Sequence, residues 1–242
     1  MKVYLVGAGP GDIELMTLKS VRILREADVI LYDALIDKKV LDFCKENTQK
    51  IFVGKRKNSH LLDQNEINEL LLKYAKEYKT VVRLKGGTPF VFGRGHEELS
   101  FLNSHGISVE IVSGVSSSTA VPESFKIPLI DRSYSDSYRT ITGHKMDIFK
   151  EIVTSFHPRE NLVIMMGAHN LKDIVSHLLG VGFLPKTPIA LLSKGCSQDA
   201  LKISATLEKI SQKDSGFFDY VRSLTPLIIY IGETLNAADS IN

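Results

Sequence analysis

The chain has 242 residues, 43% hydrophobic and 24% charged. That is ordinary globular composition, which excludes disordered, collagen-like and coiled-coil classes. At roughly 100–200 residues per domain it accommodates one large domain or two small ones. Thirty Lys and Arg against 28 Asp and Glu leave a net charge of +2, with no basic arm in either half, which argues against a nucleic-acid binder that draws its affinity from phosphate neutralisation. Two cysteines, Cys44 and Cys196, are too few for a disulfide framework or a Cys-based zinc site and suit a reducing compartment. No apolar run approaches the ~18–20 residues of a membrane span, so a soluble, cytoplasmic protein without a membrane partner is expected.

In chain order, Met1-Lys2-Val3-Tyr4-Leu5-Val6-Gly7 reads as a strand entering a glycine turn and not as a secretory leader. Leu15, Leu18, Val21, Ile23 and Leu24 then recur at helical spacing. Further strands are expected at 29–32, ending at Asp33, at 51–53 and at 81–84, with Ile67, Leu70, Leu71 and Tyr74 as a helix face between the last two. A helix begun near Glu97 leads to a fifth strand at 108–112. Strands alternating with helices need crossover connections and hence a largely parallel sheet. After Val112 the texture turns to Ser, Pro and Gly as far as Ile127-Pro128, and a boundary there divides the chain into domains 1–113 and 114–242. Beyond it the runs 162–166, 189–192 and 227–231 read as strands. The run 201–205 alternates as an antiparallel strand with one exposed face does, so a mixed sheet is expected. The segment 131–150, rich in Ser, Tyr and charge, reads as a loop over a site.

Gly7-Ala8-Gly9-Pro10-Gly11-Asp12 sits where a dinucleotide fingerprint would, but Asp12 stands at its third glycine and Pro10 removes a backbone donor. A tight strand-to-helix turn explains the segment equally well. Lys85-Gly86-Gly87-Thr88-Pro89-Phe90-Val91-Phe92-Gly93-Arg94-Gly95 ends another strand. Its glycines admit close approach to the backbone, and Phe90, Val91 and Phe92 offer an apolar wall, so it reads as a ligand loop. Ligands of open parallel sheets gather beyond the carboxyl ends of the strands. Asp33, Gly54-Lys55-Arg56-Lys57 and Gly114-Val115-Ser116-Ser117 belong to that rim together with the two glycine loops. A nucleophile elbow fails at Ser118, and the histidines show no paired metal-ligand spacing, so no metal is expected.

Taken together, Val6-Gly7-Ala8-Gly9-Pro10-Gly11-Asp12, Leu15-Met16-Thr17-Leu18-Lys19, Ala27-Asp28-Val29-Ile30-Leu31-Tyr32-Asp33, Gly54-Lys55-Arg56, the stretch 83–95 and the stretch 227–232 resemble the tetrapyrrole methylases, above all those acting on uroporphyrinogen III. The likeness runs over nearly the whole chain, and 83–95 is its most specific part. It implies two α/β domains, the first with a largely parallel sheet and the second with a mixed one. S-adenosylmethionine would lie in the interdomain cleft and the chain would form a homodimer. Carried over by position, the cofactor contacts would be Pro10, Gly86, Gly87, Thr88, Val91, Ser116, Ser117, Met166 and Gly195, with Asp33 as proton acceptor and Lys55 as proton donor. Two ring carbons would be methylated in turn, giving precorrin-1 and then precorrin-2 for sirohaem or cobalamin, with S-adenosylhomocysteine as the by-product. The many carboxylates of this anionic tetrapyrrole would be anchored by Arg56, Lys57, Arg94 and Arg132.

The chain departs from that pattern at four positions, with Thr88 for Asp, Ser113 for Pro, His96 for Gly and Asp131 for His. Thr88 keeps the backbone groups of the loop and loses a charge; Asp131 puts a carboxylate near an anionic substrate. Three other readings compete. One is a methyltransferase of the same fold acting on a later precorrin or a protein. Another is a nicotinamide-dependent oxidoreductase, which Asp12 opposes. The third is a binding protein in which Asp33 and Lys55 are idle.

Overall fold

The apolar runs of the N-terminal half form β1 (Lys2–Gly7), β2 (Val29–Tyr32), β3 (Gln49–Phe52), β4 (Thr80–Lys85) and β5 (Val109–Val112). They pair in parallel throughout, in the order β3-β2-β4-β1-β5, so their carboxyl ends share one edge. The computed structural model describes residues 2–54 and 63–239, and its contacts divide the chain into two units, Met1–Ser117 and Ser118–Asn242. In the first unit, strand alternation sends Val6, Ile30, Val82 and Leu84 to one face, against Ile23 and Leu24 of α1 (Leu18–Glu26). The opposite face carries Leu5, Leu31 and Val81, packed on Ile67 and Leu71 of α2 (Gln64–Glu77) and Leu102 of α3 (Gly95–Ser104). Burial on both faces is why these strands read as almost unbroken apolar runs. Thr17 caps α1, and the buried Ser20 hydroxyl donates to the Gly7 carbonyl at 3.1 Å, tying that helix to the end of β1.

The second unit contains β6 (Ser137–Thr142), β7 (Glu160–Met165), β8 (Pro188–Ser193), β9 (Leu201–Thr206) and β10 (Leu227–Ile231) in the order β6-β7-β10-β8-β9. Only β6 and β7 pair in parallel, so the sheet is mixed, and β9 lies antiparallel to β8 as its alternation implied. Because β10 runs against both β7 and β8, strands β6, β7 and β8 end on a common edge. The helices are α4 (Ser117–Ser124), α5 (Met146–Ile152), α6 (Leu171–Gly180), α7 (Leu207–Ser211), α8 (Ser215–Ser223) and α9 (Thr234–Asp239). Leu162, Ile164, Leu191 and Ile229 face α6 and α8, whereas Val163, Ala190 and Tyr230 face Val121 of α4 and Leu235 of α9.

One expectation is corrected. The segment 131–150 is not a loop: it supplies β6 and most of α5. Its strand is an edge strand in which Ile141 alone is fully buried, so the apolar signal of a strand is missing, and Arg139 is held instead by Glu160 at 2.6 Å. The Ser-rich stretch after β5, for which no element is expected from the sequence, contains α4, which runs through Pro122. Among the described residues no helix is long and apolar enough to cross a membrane.

Candidate active site

The ends of β1, β4 and β5 are fastened together through backbone. Ala8 N donates to Lys85 O at 2.8 Å, and Gly9 and Gly87 exchange hydrogen bonds, N to O, at 3.1 and 2.7 Å. A Cβ on Gly7 would lie 2.5 Å from both Gly114 N and Gly87 O, and one on Gly114 would lie 2.3 Å from Gly87 O. No side chain fits at either crossing. At Gly87 the requirement is conformational, because φ is +64°. A Cβ there would lie 3.8 Å from Ser117 N and Oγ, in ordinary van der Waals contact, so crowding is not what calls for glycine at this position. Pro10 follows Gly9 in the same turn, and Asp12 accepts from Glu14 N at 2.9 Å as the cap of a short 3-10 turn, Ile13–Leu15. That capping role explains why no glycine stands at position 12.

The loop after β4 folds back on itself, with Gly95 N donating to Pro89 O at 3.1 Å. It leaves Phe90, Val91 and Phe92 exposed at 51%, 39% and 42%, an apolar wall on the β4 edge, with Thr88 half-buried before it. Arg94 is exposed, and its guanidinium is engaged in a fork with Glu97 at 2.8 and 2.6 Å, which holds Arg94 above its usual pKa. Such a surface pair contributes only ~0–1 kcal/mol.

Asp33 follows β2 on the same edge, and beneath it lies a cluster of charges that the sequence reading missed. Arg83, 3% exposed, donates from Nη2 to Asp33 Oδ1 at 2.7 Å and from Nε to Glu98 Oε1 at 2.9 Å. Its Nη1 donates to Leu84 O at 3.1 Å and to Leu31 O at 3.5 Å. Lys85 Nζ reaches both oxygens of the fully buried Glu98 at 2.9 Å, and Gln64 Nε2 donates to Glu98 Oε1 at 3.3 Å. Burial opposes the charge on Arg83, but the carboxylates of Glu98 and Asp33 outweigh it and raise its pKa. Burial pushes Lys85 down, aided by the Arg83 charge and opposed by Glu98. Removing one partner of a buried pair typically costs ~3–5 kcal/mol. A signal was present in the sequence. Two cations at alternate positions of an otherwise apolar strand, Arg83 and Lys85, share one face and need acids opposite them.

The remaining candidates are distributed as follows. Gly54 abuts the Asp33 turn, since a Cβ there would lie 2.5 Å from Ala34 N. Lys55, Arg56 and Lys57 lie outside the described residues. Ser116 and Ser117 lead into α4, both half-buried. In the second unit, Met166 follows β7 with φ +58° and 47% exposure. Gly195 follows β8 on the same edge of the sheet, between the left-handed Lys194 and Cys196 and against Val121. Arg132 has an exposed side chain, and its carbonyl accepts from Arg159 at 2.9 Å, while Asp131 caps that turn through Ser133 N at 2.9 Å. Among the described residues no group of three His, Cys, Asp or Glu could hold a metal ion.

Proteins similar to this chain over nearly its whole length are known. The uroporphyrinogen-III C-methyltransferase of Methanocaldococcus jannaschii is 43% identical over 242 residues, covering 99% of this chain and 98% of the relative. The siroheme synthase of Acinetobacter baylyi is 38% identical over 99% of this chain, which spans only 52% of that longer protein. The uroporphyrin-III C-methyl transferase of Thermus thermophilus, solved with S-adenosyl homocysteine, superimposes with a TM-score of 0.79 at 34% identity, covering 98% of this chain and 94% of that one. Residues 2–211 match the profile of the tetrapyrrole (corrin/porphyrin) methylases. With the parallel sheet, its glycine crossing and near full-length relatives in agreement, the chain belongs to the tetrapyrrole methylase family.

Proposed function

We propose that the protein is an S-adenosylmethionine-dependent methyltransferase that C-methylates uroporphyrinogen III at two ring carbons, giving precorrin-2 by way of precorrin-1 for sirohaem or cobalamin. The observation that carries this reading is the full-length likeness to a uroporphyrin-III methyltransferase solved with S-adenosyl homocysteine. The residues fit such a ligand: the glycines at 86 and 87 leave the backbone of the loop bare of side chains, and Phe90, Val91 and Phe92 provide apolar surface on the same edge.

S-adenosylmethionine supplies an already activated methyl group, so the protein's main work is to hold a ring carbon in line with it. Backbone groups of Pro10, Gly86, Gly87 and Thr88, with Val91, Ser116 and Ser117, hold the cofactor in this proposal. Met166 and Gly195 are added on the family resemblance alone. Carbon–carbon bond formation leaves a cationic ring that must lose a proton. Asp33 takes it through Oδ2, because Oδ1 is engaged by Arg83. The family resemblance alone marks Lys55 as a proton donor: any proton that it gives to the ring must be matched by a second one lost from it, since each transfer releases one proton overall, and otherwise Lys55 joins Arg56, Lys57, Arg94 and Arg132 in anchoring substrate carboxylates. A homodimer in the cytoplasm belongs to the same reading, and sedimentation of the purified chain checks the dimer.

Thermal melting separates this reading from an oxidoreductase. Saturating S-adenosylhomocysteine is expected to raise Tm and NAD to leave it unchanged, since only a ligand of the folded state stabilises it. A shift with NAD and none with S-adenosylhomocysteine overturns the assignment.

A further inference from the structure

The four charges beneath the β2 and β4 ends alternate in sign, Asp33, Arg83, Glu98 and Lys85. Three are almost entirely buried, with side-chain exposures of 3% for Arg83, 0% for Glu98 and 4% for Lys85, whereas Asp33 keeps 27%. The cluster therefore opens toward solvent at Asp33. Apolar residues of similar volume generally stabilise a core as well as buried ion pairs do, so packing alone gives no reason for this set. Its geometry does give one. A guanidinium is a rigid planar fork. Glu98 fixes that plane at Nε, and the Leu31 and Leu84 carbonyls fix it at Nη1, which aims Nη2 at Asp33 Oδ1. Glu98 is itself held by Lys85 at both oxygens and by Gln64, which also donates to Asn68.

We infer that Glu98 is a positioning residue for the methyl transfer, acting through Arg83 to hold the Asp33 carboxylate in its working orientation. This rests on the reading of Asp33 as the proton acceptor. A glutamine at position 98 keeps the shape, but it loses the charge between two buried cations and turns an N–H donor toward the Lys85 ammonium or the Arg83 guanidinium. Arg83 then loses its fixed plane, and Asp33 its fixed partner.

The test uses the full-length chain with Asp33→Asn, Glu98→Gln and the two combined, measuring kcat and KM with uroporphyrinogen III and the dissociation constant of S-adenosylhomocysteine. Asp33→Asn is expected to lower kcat by ~10²–10⁴-fold, as loss of a general base does. Glu98→Gln is expected to lower kcat by at least ~10-fold while changing the tetrapyrrole KM and the S-adenosylhomocysteine constant by less than ~3-fold. In the Asp33→Asn background the same change should cost under ~2-fold more, because residues acting as a unit are not additive. Wild-type kcat in Glu98→Gln, or an equal loss in both backgrounds, overturns the positioning role and leaves the Asp33 reading intact. Wild-type kcat in Asp33→Asn removes the Asp33 role and the inference with it. If Glu98→Gln alone does not fold, Glu98→Gln with Lys85→Met, which buries one cation fewer, takes its place in the same comparison.

Discussion

Gly114→Ala tests whether the ends of β1, β4 and β5 really meet through backbone. The added Cβ would lie 2.3 Å from Gly87 O, 2.8 Å from Gly7 C and 2.9 Å from Gly7 Cα. That is about 1 Å inside ordinary van der Waals contact, and every atom it meets is backbone. Overpacking usually costs ~1–3 kcal/mol where side chains can move aside; here none can, so the upper end applies. Alanine recovers ~0.4–1 kcal/mol by narrowing the unfolded ensemble, leaving a net loss of ~2 kcal/mol. At ~2–4 °C per kcal/mol for a chain of this size, Tm should fall by ~4–8 °C. The Gly87 loop must shift to relieve the clash, so S-adenosylhomocysteine should also bind at least ~10-fold more weakly by isothermal titration, a loss of ~1.4 kcal/mol. Gly180→Ala is the control: nothing lies within 4 Å of its added Cβ at the end of α6, and Tm should hold or rise. A Gly114→Ala protein with the wild-type Tm and affinity would refute the crossing.

Three further outcomes follow from the site and its surroundings. Arg94→Ala should raise the tetrapyrrole KM well above any change in the S-adenosylmethionine KM, with stability lowered by less than ~1 kcal/mol, since only the exposed Glu97 pair is lost; equal changes in both constants reassign Arg94 to shaping its loop. Thr88→Asp should change the S-adenosylhomocysteine dissociation constant by less than ~10-fold if backbone groups carry the contact, and a much larger tightening by titration contradicts that. Lys19 and Lys2, hydrogen-bonded to Glu110, hold its carboxyl down to about 2 against an ordinary 4.5. The unfolded chain therefore binds more protons between these values, so the stabilisation present above pH 4.5 fades as the pH falls toward 2. Denaturant titrations should show Glu110→Gln with a shallower loss across that window, and identical slopes count against the triad.

The parallel sheet was legible because its strands are buried on both faces. Val29-Ile30-Leu31-Tyr32 and Val81-Val82-Arg83-Leu84 announce themselves as apolar runs, and the polar or glycine residue after each marks the shared edge. Asp33, Gly87 and Gly114 were found in this way. Strand β6 was not, because an edge strand needs only Ile141 inside and carries Ser137, Tyr138, Arg139 and Thr140 elsewhere. Helix α4 was hidden by Ser117, Ser118, Thr119 and Pro122, residues of weak helix propensity. The charge cluster escaped for a different reason: Arg83 meets an acid fifty positions earlier and another fifteen later, and local pattern carries no record of such pairings. The Arg94–Glu97 pair, by contrast, is local: Glu97 stands three residues on, at the start of α3, in reach of the guanidinium fork.

The reaction itself is tested most directly by incubating the purified chain with S-adenosylmethionine and uroporphyrinogen III under anaerobic conditions and following the tetrapyrrole by mass spectrometry. A product carrying one additional methyl group should appear first and give way to one carrying two, with an equal amount of S-adenosylhomocysteine formed for each methyl transferred. An unmodified tetrapyrrole, from a protein that binds S-adenosylhomocysteine normally, would contradict the claim and direct the search to another substrate of the same fold.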